Sequence, residues 1–300
     1  IPMVGVIGGE QMWEAMLKAV EAPLIPLPPM LKPLEEMLCG GLPIGEIVSI
    51  LAASGIGKTS ITNHLIEYWI LNSPYRVGIL SMEAGAGKFL LRLVSGYLNK
   101  NIARLKTTEE KVKFLEENKD KCHDLFMTPE GEERFYLVDD KGDLDTLVKI
   151  KKTVERMIKQ GGVKMVIIDP IQDALDSLTI EEQAAFMQWQ KQIKAREGVT
   201  FVNINHTRKS GGGKVAGSKG GELTEEDMQG SSALYKSSAV NIILTRDKTS
   251  DDPVVRNTTK IMLYKARDTG ETGPAGELFF DVESATLMNK ADYLRGKSNF

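Results

Sequence analysis

The stretch from Ile47 to Ser60, IVSILAASGIGKTS, constrains the fold more than any other part of the chain. A run of β-branched and aliphatic residues breaks into a glycine-interrupted turn and closes on Gly57-Lys58-Thr59. That order reads as a buried strand, a phosphate-binding loop and a helix start. The loop comprises Ser54, Gly55, Ile56, Gly57, Lys58, Thr59 and Ser60. Backbone N–H groups in the turn and at the helix N-terminus face phosphate oxygens, Lys58 adds a point charge toward the terminal phosphates, and Thr59 offers its hydroxyl to Mg²⁺. Six residues before the lysine, where the usual pattern has glycine, stands Ala52; Gly55 and Gly57 are kept.

The rest of the chain reads as an alternation built around that strand. Apolar runs at Val77 to Met82, 135 to 139, 163 to 169 and 199 to 205 predict buried strands, separated by helices over 57–72, 89–98 and 180–196 and by one carrying Leu147, Val154 and Ile158. Such alternation predicts a parallel, doubly wound sheet. Residues 106–121 read as a charged, solvated helix. After a polar loop from Thr207, a short helix and strands at 239–245, 258–265 and 277–282 are spaced like consecutive hairpins. At the other end, QMWEAMLKAVEA (11–22) puts Trp13, Met16, Leu17 and Val20 on one helical face, followed by prolines through Pro33. Its stripe needs a cover, either its own domain or a neighbouring subunit, and the core begins at Gly40. Residues 1–39 are thus read as helix and proline-rich linker, and 40–300 as the main domain.

Composition narrows the partners. Hydrophobic content of 42%, charged content of 26% and a net charge of -3 argue against disorder. No apolar run approaches the roughly 20 residues of a membrane span, so no membrane partner is expected. A near-neutral chain binds nucleic acid only where its basic residues gather. They gather in RKSGGGKVAGSKGG, 208–221, which holds Arg208, Lys209, Lys214 and Lys219, six glycines and no acid. Concentrated charge on a conformationally free segment suits a phosphate backbone; a merely flexible surface loop is the alternative. Without an aromatic there, contacts go to phosphates and are indifferent to sequence. Cys39 and Cys122, far apart and in no metal-ligand spacing, fit free thiols in a reducing compartment. The opening at Ile1 reads as that of a fragment or processed product.

Three strand ends carry polar groups. Asp169 closes VKMVIID, where an aspartate beside a phosphate loop orients Mg²⁺; helix capping is the alternative, opposed by Pro170. Glu83 follows a strand end and either activates a water or caps a turn. His206, behind Asn205, ends another strand at the ligand crevice or serves as a structural histidine.

Taken in order, GIGKT, SMEAG, VIIDP, NINHT, DMQGSSALYKSS and KARDTGETG resemble the RecA-like core of hexameric replicative DNA helicases, from about Gly40 to Asp281. The resemblance is strongest to the primase-helicases of short-tailed phages and mitochondrial Twinkle, with DnaB more distant. It implies an α/β fold: a RecA-like P-loop NTPase core with a mainly parallel twisted sheet flanked by helices, C-terminal antiparallel strands and an N-terminal docking helix. The implied activity is hydrolysis of ATP, dTTP or another NTP with Mg²⁺, stimulated by DNA and coupled to 5′ to 3′ translocation on single-stranded DNA and to unwinding.

Implied partners are single-stranded DNA, further copies in a hexameric ring, a primase domain or protein, and a replicative polymerase. The implied location is the cytoplasm of a bacterial or phage-infected cell, ahead of the mitochondrial matrix. Position by position, the resemblance gives Lys58 and Thr59 to phosphates and Mg²⁺, Asp169 to Mg²⁺, Glu83 to the catalytic base and His206 to γ-phosphate sensing. Lys265 and Arg267 match a trans-acting pair with Arg267 as arginine finger. Arg246 and Phe280 match positions that sandwich the base, although core packing is open for Phe280 because Phe279 must face the other way. Gly230 joins the basic loop in the DNA-facing set. Gln229 and Ala239 depart from the arginine and aspartate common in relatives. A RecA- or KaiC-type ATPase of recombination or regulation is the first rival, and a P-loop phosphotransferase, for which no Arg-rich lid segment is present, the second.

Overall fold

The computed structural model describes residues 4–52, 58–139, 146–171, 175, 178–206 and 232–298; for Lys58, Thr59, His206, Ser232, Lys297 and Ser298 it describes the backbone alone. Its centre is β1 (Ile47–Ala52), buried at every residue. Parallel β5 (Thr200–His206) and β6 (Val240–Thr245) flank it, in registers that pair Ala52 with His206 on one side and with Leu244 on the other. β4 (Met165–Asp169), β2 (Val77–Ser81) and β3 (Phe135–Leu137) continue the parallel half. β7 (Thr258–Ala266), β8 (Gly273–Asp281) and β9 (Thr286–Asn289) add antiparallel strands to β6. The result is one nine-stranded sheet in the order β3-β2-β4-β5-β1-β6-β7-β8-β9. Continuous Val/Ile/Leu runs in the parallel half are what a sheet covered on both faces requires.

Alternation along each strand divides the core. Val48, Ile50, Ile79, Ile167, Val202 and Ile204 pack with Ile61, Leu65, Ile66 and Trp69 of α3 (Lys58–Asn72) and with Phe89 and Leu93 of α4 (Ala86–Tyr97). Ile47, Leu80, Val166, Ile168 and Phe201 face the other way, onto α7 (Leu147–Gly161) and α8 (Ile180–Glu197). Two of those helices stop at Gly162 and Gly198 in the left-handed conformation.

Three segments differ from their sequence reading. The core starts before Gly40: Ile25, Leu27, Leu31, Leu34 and Leu38 are buried against the sheet, the last two in and just after α2 (Lys32–Met37). The prolines that rule out a long helix leave carbonyls free, and these are used, with Trp69 Nε1 donating to Pro26 O at 2.8 Å and Tyr75 Oη to Pro23 O at 2.7 Å. Gly41 has φ +151°, and a Cβ there would lie 2.2 Å from Ile25 O, so the bridge between Ile25 and Leu42 needs glycine at that point. The charged helix is two helices, α5 (Thr108–Glu117), opened by a Thr107–Glu110 capping box, and α6 (Lys119–Phe126). α6 is not wholly solvated, for Cys122 and Leu125 are buried. Lastly, β9, a short α10 (Pro253–Arg256) and α11 (Lys290–Ser298) carry too little periodicity to be read from sequence.

α1 (Gly9–Glu21) has no buried residue, and Trp13 and Val20 on its apolar stripe are 55% and 79% exposed. No described helix is long and apolar enough to cross a membrane.

Candidate functional site

Parallel strands deliver all their carboxyl ends to one edge of the sheet, and the polar strand ends meet there. β1 runs out at Ala52, and α3 starts at Lys58. The loop residues Ser54, Gly55, Ile56 and Gly57 lie outside the described residues, as do the side chains of Lys58, Thr59 and His206. On β4, two places from β1, Asp169 ends level with Ser81 of β2, and its carbonyl accepts from Met82 N at 2.8 Å. The turn behind Met82, tied by Ser81 Oγ donating to Ala84 O at 3.1 Å, carries Glu83 exposed at this edge. Among the described residues no group of three or more His, Cys, Asp or Glu gathers as a metal cage. A single strand-end carboxylate beside a phosphate loop fits Mg²⁺, which keeps waters and takes phosphate oxygens as ligands.

Two reversals of direction bring the end of β8 back to the same edge. Arg246 follows β6 directly, and Phe280 is the penultimate residue of β8. Asn257, just after α10, holds both: its Oδ1 accepts from Arg246 Nη2 at 2.9 Å and its carbonyl from Phe280 N at 3.1 Å. Arg246 Nε also donates to Arg256 O. Phe279 is buried on the opposite face of β8 from Leu278 and stacks on Tyr293 of α11 with ring centroids 3.6 Å apart. Phe280, on the face of Leu278, packs against the core on the α3 side and lines a cavity of about 720 Å³ together with Ser60, Asn63 and His64 of α3. Phe280 therefore combines core packing with a place at the cavity wall.

Lys265 and Arg267 are at the opposite edge. β7 runs against β6, so its last residues return to the amino end of β1: Lys265 pairs with Asn241, and Arg267 N donates to Ala239 O, whose residue in turn donates to Ile47 O. Arg267 is 48% exposed, with Nη1 4.0 Å from Glu46 Oε2 and Nη2 donating to Ser238 O at 3.5 Å. Burial, then the charge of Arg267, lowers the pKa of Lys265. Arg208, Lys209, Lys214, Lys219 and Gly230 lie outside the described residues.

With this geometry in view, the model of the DnaB-like helicase C terminal domain matches residues 27–289. The chain belongs to the DnaB-like helicase C-terminal domain family. A DnaB-like domain is the NTP-hydrolysing part of a replicative helicase, and that is the role of this one. Among solved structures, the ATPase domain of G40P is similar over 93% of this chain and 96% of its own, at 18% identity and a TM-score of 0.69. A DnaB-like replicative helicase, described with its interactions with primase, is similar over 93% of this chain and 67% of its own, at 16% identity and a TM-score of 0.67. A KaiC-like protein of Pyrococcus horikoshii OT3 is similar over 89% and 97%, at 14% identity and a TM-score of 0.55. These likenesses establish the RecA-like fold. Among curated proteins none matches significantly.

Sequence reading missed the groups behind the DnaB-like site. Asn205, read as part of a polar crevice end, is buried and donates through Nδ2 to Ser49 Oγ at 2.9 Å, while Asn203 and Gln190 exchange two amide hydrogen bonds at 2.8 and 3.0 Å. Neither a capping pattern nor a periodicity marks Asn257. On α3, His64 Nδ1 lies 2.7 Å from Ser60 O, which makes Nδ1 the protonated nitrogen, and burial lowers its pKa. Glu67, one turn on, is raised to about 7 by burial. A Cβ on Gly96 of α4 would lie 3.1 Å from Glu67 Oε2 and 3.6 Å from His64 Nε2, so both face the same glycine.

Glu67 yields a pH prediction. Its folded-state pKa, about 7, stands above its ordinary value of 4.5, so the folded protein holds the proton more tightly. Stability from this group is present below pH 4.5 and is lost as pH rises through 7. Glu67→Gln should therefore be the more stable protein at pH 8, by on the order of 2 kcal/mol, and should converge with the parent near pH 4.5. Urea unfolding at the two pH values measures this; the same difference at both would contradict it.

Proposed function

We propose that this domain is the motor of a ring-forming replicative helicase, with each nucleotide site completed by a residue of the neighbouring copy. The observation that carries this reading is the separation of the two edges. Arg267 is level with Ile47 while the phosphate loop begins beyond Ala52, and β1 at about 3.3 Å per residue puts roughly 17 Å between them. An arginine side chain does not span that distance within its own subunit. Half exposed at the rim, it is free to reach another copy.

In the proposed cycle, the loop amides from Ser54 to Ser60 and the Lys58 ammonium hold the NTP phosphates, and Arg246 and Phe280 sandwich its base. Thr59 and Asp169 hold Mg²⁺, which when bound neutralises charge on the β- and γ-phosphates. Glu83 takes the proton of the attacking water, and His206 contacts the γ-phosphate. Lys265 and Arg267 of the adjacent subunit stabilise charge on the transferred phosphoryl group, a contribution of roughly 10³ to 10⁵ in rate for a finger arginine. Arg208, Lys209, Lys214, Lys219 and Gly230 hold successive phosphates of single-stranded DNA near the centre of a hexamer, and hydrolysis moves them 5′ to 3′. The exposed stripe of α1 docks on the ring neighbour. A primase and a replicative polymerase are the proposed partners, and the cytoplasm of a bacterial or phage-infected cell the proposed location. The KaiC-like match in fold favours one second reading, a regulatory ATPase ring; hydrolysis without separation of a forked duplex would select it.

Mixing subunits tests the shared site. Lys58→Ala subunits keep the finger and lose the loop charge; Arg267→Ala subunits keep the loop and lose the finger. Each alone should hydrolyse NTP at background rates, and co-assembly of the two should restore turnover, because some interfaces then pair an intact loop with an intact finger. A mixture shown to exchange subunits that stays inactive contradicts the proposal. The basic segment has its own test. Replacing Arg208, Lys209, Lys214 and Lys219 by alanine should flatten the salt dependence of single-strand binding by roughly 0.7 log unit for each DNA phosphate no longer neutralised, with basal hydrolysis kept. An unchanged slope would remove this segment from the DNA path.

A further inference from the structure

The pair proposed to act across the interface does not stand alone at the sheet edge. Both residues are held by α9 (Ser232–Ser237) and the turn after it, within the DMQGSSALYKSS segment. Lys265 Nζ sits 5.3 Å from the centroid of the Tyr235 ring and donates to the Tyr235 carbonyl at 3.4 Å. The same carbonyl accepts from Asn241 Nδ2 at 3.3 Å, and Asn241 is the cross-strand partner of Lys265 at the point where the β6–β7 register shifts. Ser238 O accepts from Arg267, and Ser238 is itself fixed by its Oγ donating to Leu234 O at 2.7 Å. One short helix and the turn after it thus grip the lysine by a π face and a carbonyl, and the arginine by the Ser238 carbonyl.

The chemistry at Lys265 explains why such a grip is needed. Its ammonium is partly buried and stands beside another cation, and both effects favour loss of its proton or withdrawal to solvent. An aromatic face opposes that by attracting the cation without neutralising it, as a carboxylate would. A lysine stem has four rotatable carbons, so a fixed platform also narrows the directions from which Nζ can project.

We infer that Tyr235 is a positioning residue: it sets Lys265, and through the Leu234–Ser238 turn Arg267, in the orientation from which they reach the neighbouring subunit's nucleotide. This rests on the trans-acting reading of that pair.

The experiment compares Tyr235→Phe, which keeps the ring, with Tyr235→Leu and Tyr235→Met, which remove it, the methionine at similar bulk. Rings of the ringless variants should fall about tenfold in kcat, the size expected when a cation–π interaction is removed, with KM changed less than twofold; Tyr235→Phe should keep the parental rate. Adding inactive Lys58→Ala subunits to Tyr235→Leu rings should then raise turnover two- to threefold, because the added subunits carry a well-placed finger. A purely structural role predicts the reverse, a rate that falls in proportion to the inactive subunits added. If Arg267→Ala is rescued by Lys58→Ala and neither ringless variant is, the role of Tyr235 is wrong and the shared site stands. If Arg267→Ala is not rescued either, the shared site itself is wrong.

Discussion

Parallel pairing of β1 with both β5 and β6 is the constraint on which the rest of the molecule depends. Parallel strands must all be crossed over by helices, so their carboxyl ends gather at one edge and their amino ends at the other. Asp169, the turn bearing Glu83, and the start of α3 are brought together by that rule alone, although more than a hundred residues separate the first of them from the last. The antiparallel strands then divide the remaining residues between the two edges. One reversal sends Lys265 and Arg267 to the amino edge, and a second returns Phe280 to the carboxyl edge beside Arg246. Asp169 and Glu83 are thus at one edge of the sheet and Arg267 at the other.

Buried polar groups fix the strands at the register this division needs. A one-residue slip would turn Asn203 and Asn205 from the face where Gln190 pairs with the Asn203 amide and Ser49 accepts from Asn205 Nδ2 into the aliphatic layer above α3. Losing these three hydrogen bonds makes such a slip unfavourable, so these asparagines specify alignment as much as they add stability. Asn257 does similar work at the rim, where one side chain and one carbonyl keep Arg246 and Phe280 adjacent.

Much of this was legible in the sequence because it is written in local patterns. The apolar runs predicted the parallel strands, and the adjacency of Phe279 and Phe280 predicted rings on opposite faces, which the structure shows with Phe279 stacked on Tyr293 and Phe280 against the core on the α3 side. The ordered motifs led to the family that the match over residues 27–289 establishes. What was not legible depends on long-range partners. Prolines around Ile25 to Leu38 read as linker because proline forbids regular helix, yet the carbonyls of Pro23 and Pro26 find Tyr75 and Trp69 some 40 to 50 residues on. Asn118 gave no sign that it divides two helices. Tyr235 sits in a segment whose motif was visible, but its meeting with Lys265 arises only from the pairing of β6 with β7.

The shared nucleotide site can be seen directly by single-particle imaging of the assembled protein with single-stranded DNA and a non-hydrolysable NTP. The expected result is a closed or open ring in which the Arg267 guanidinium lies within hydrogen-bond distance of the γ-phosphate held by Lys58 of the adjacent subunit. A particle in which each nucleotide is contacted by residues of one subunit alone, with Arg267 turned to solvent, would contradict it.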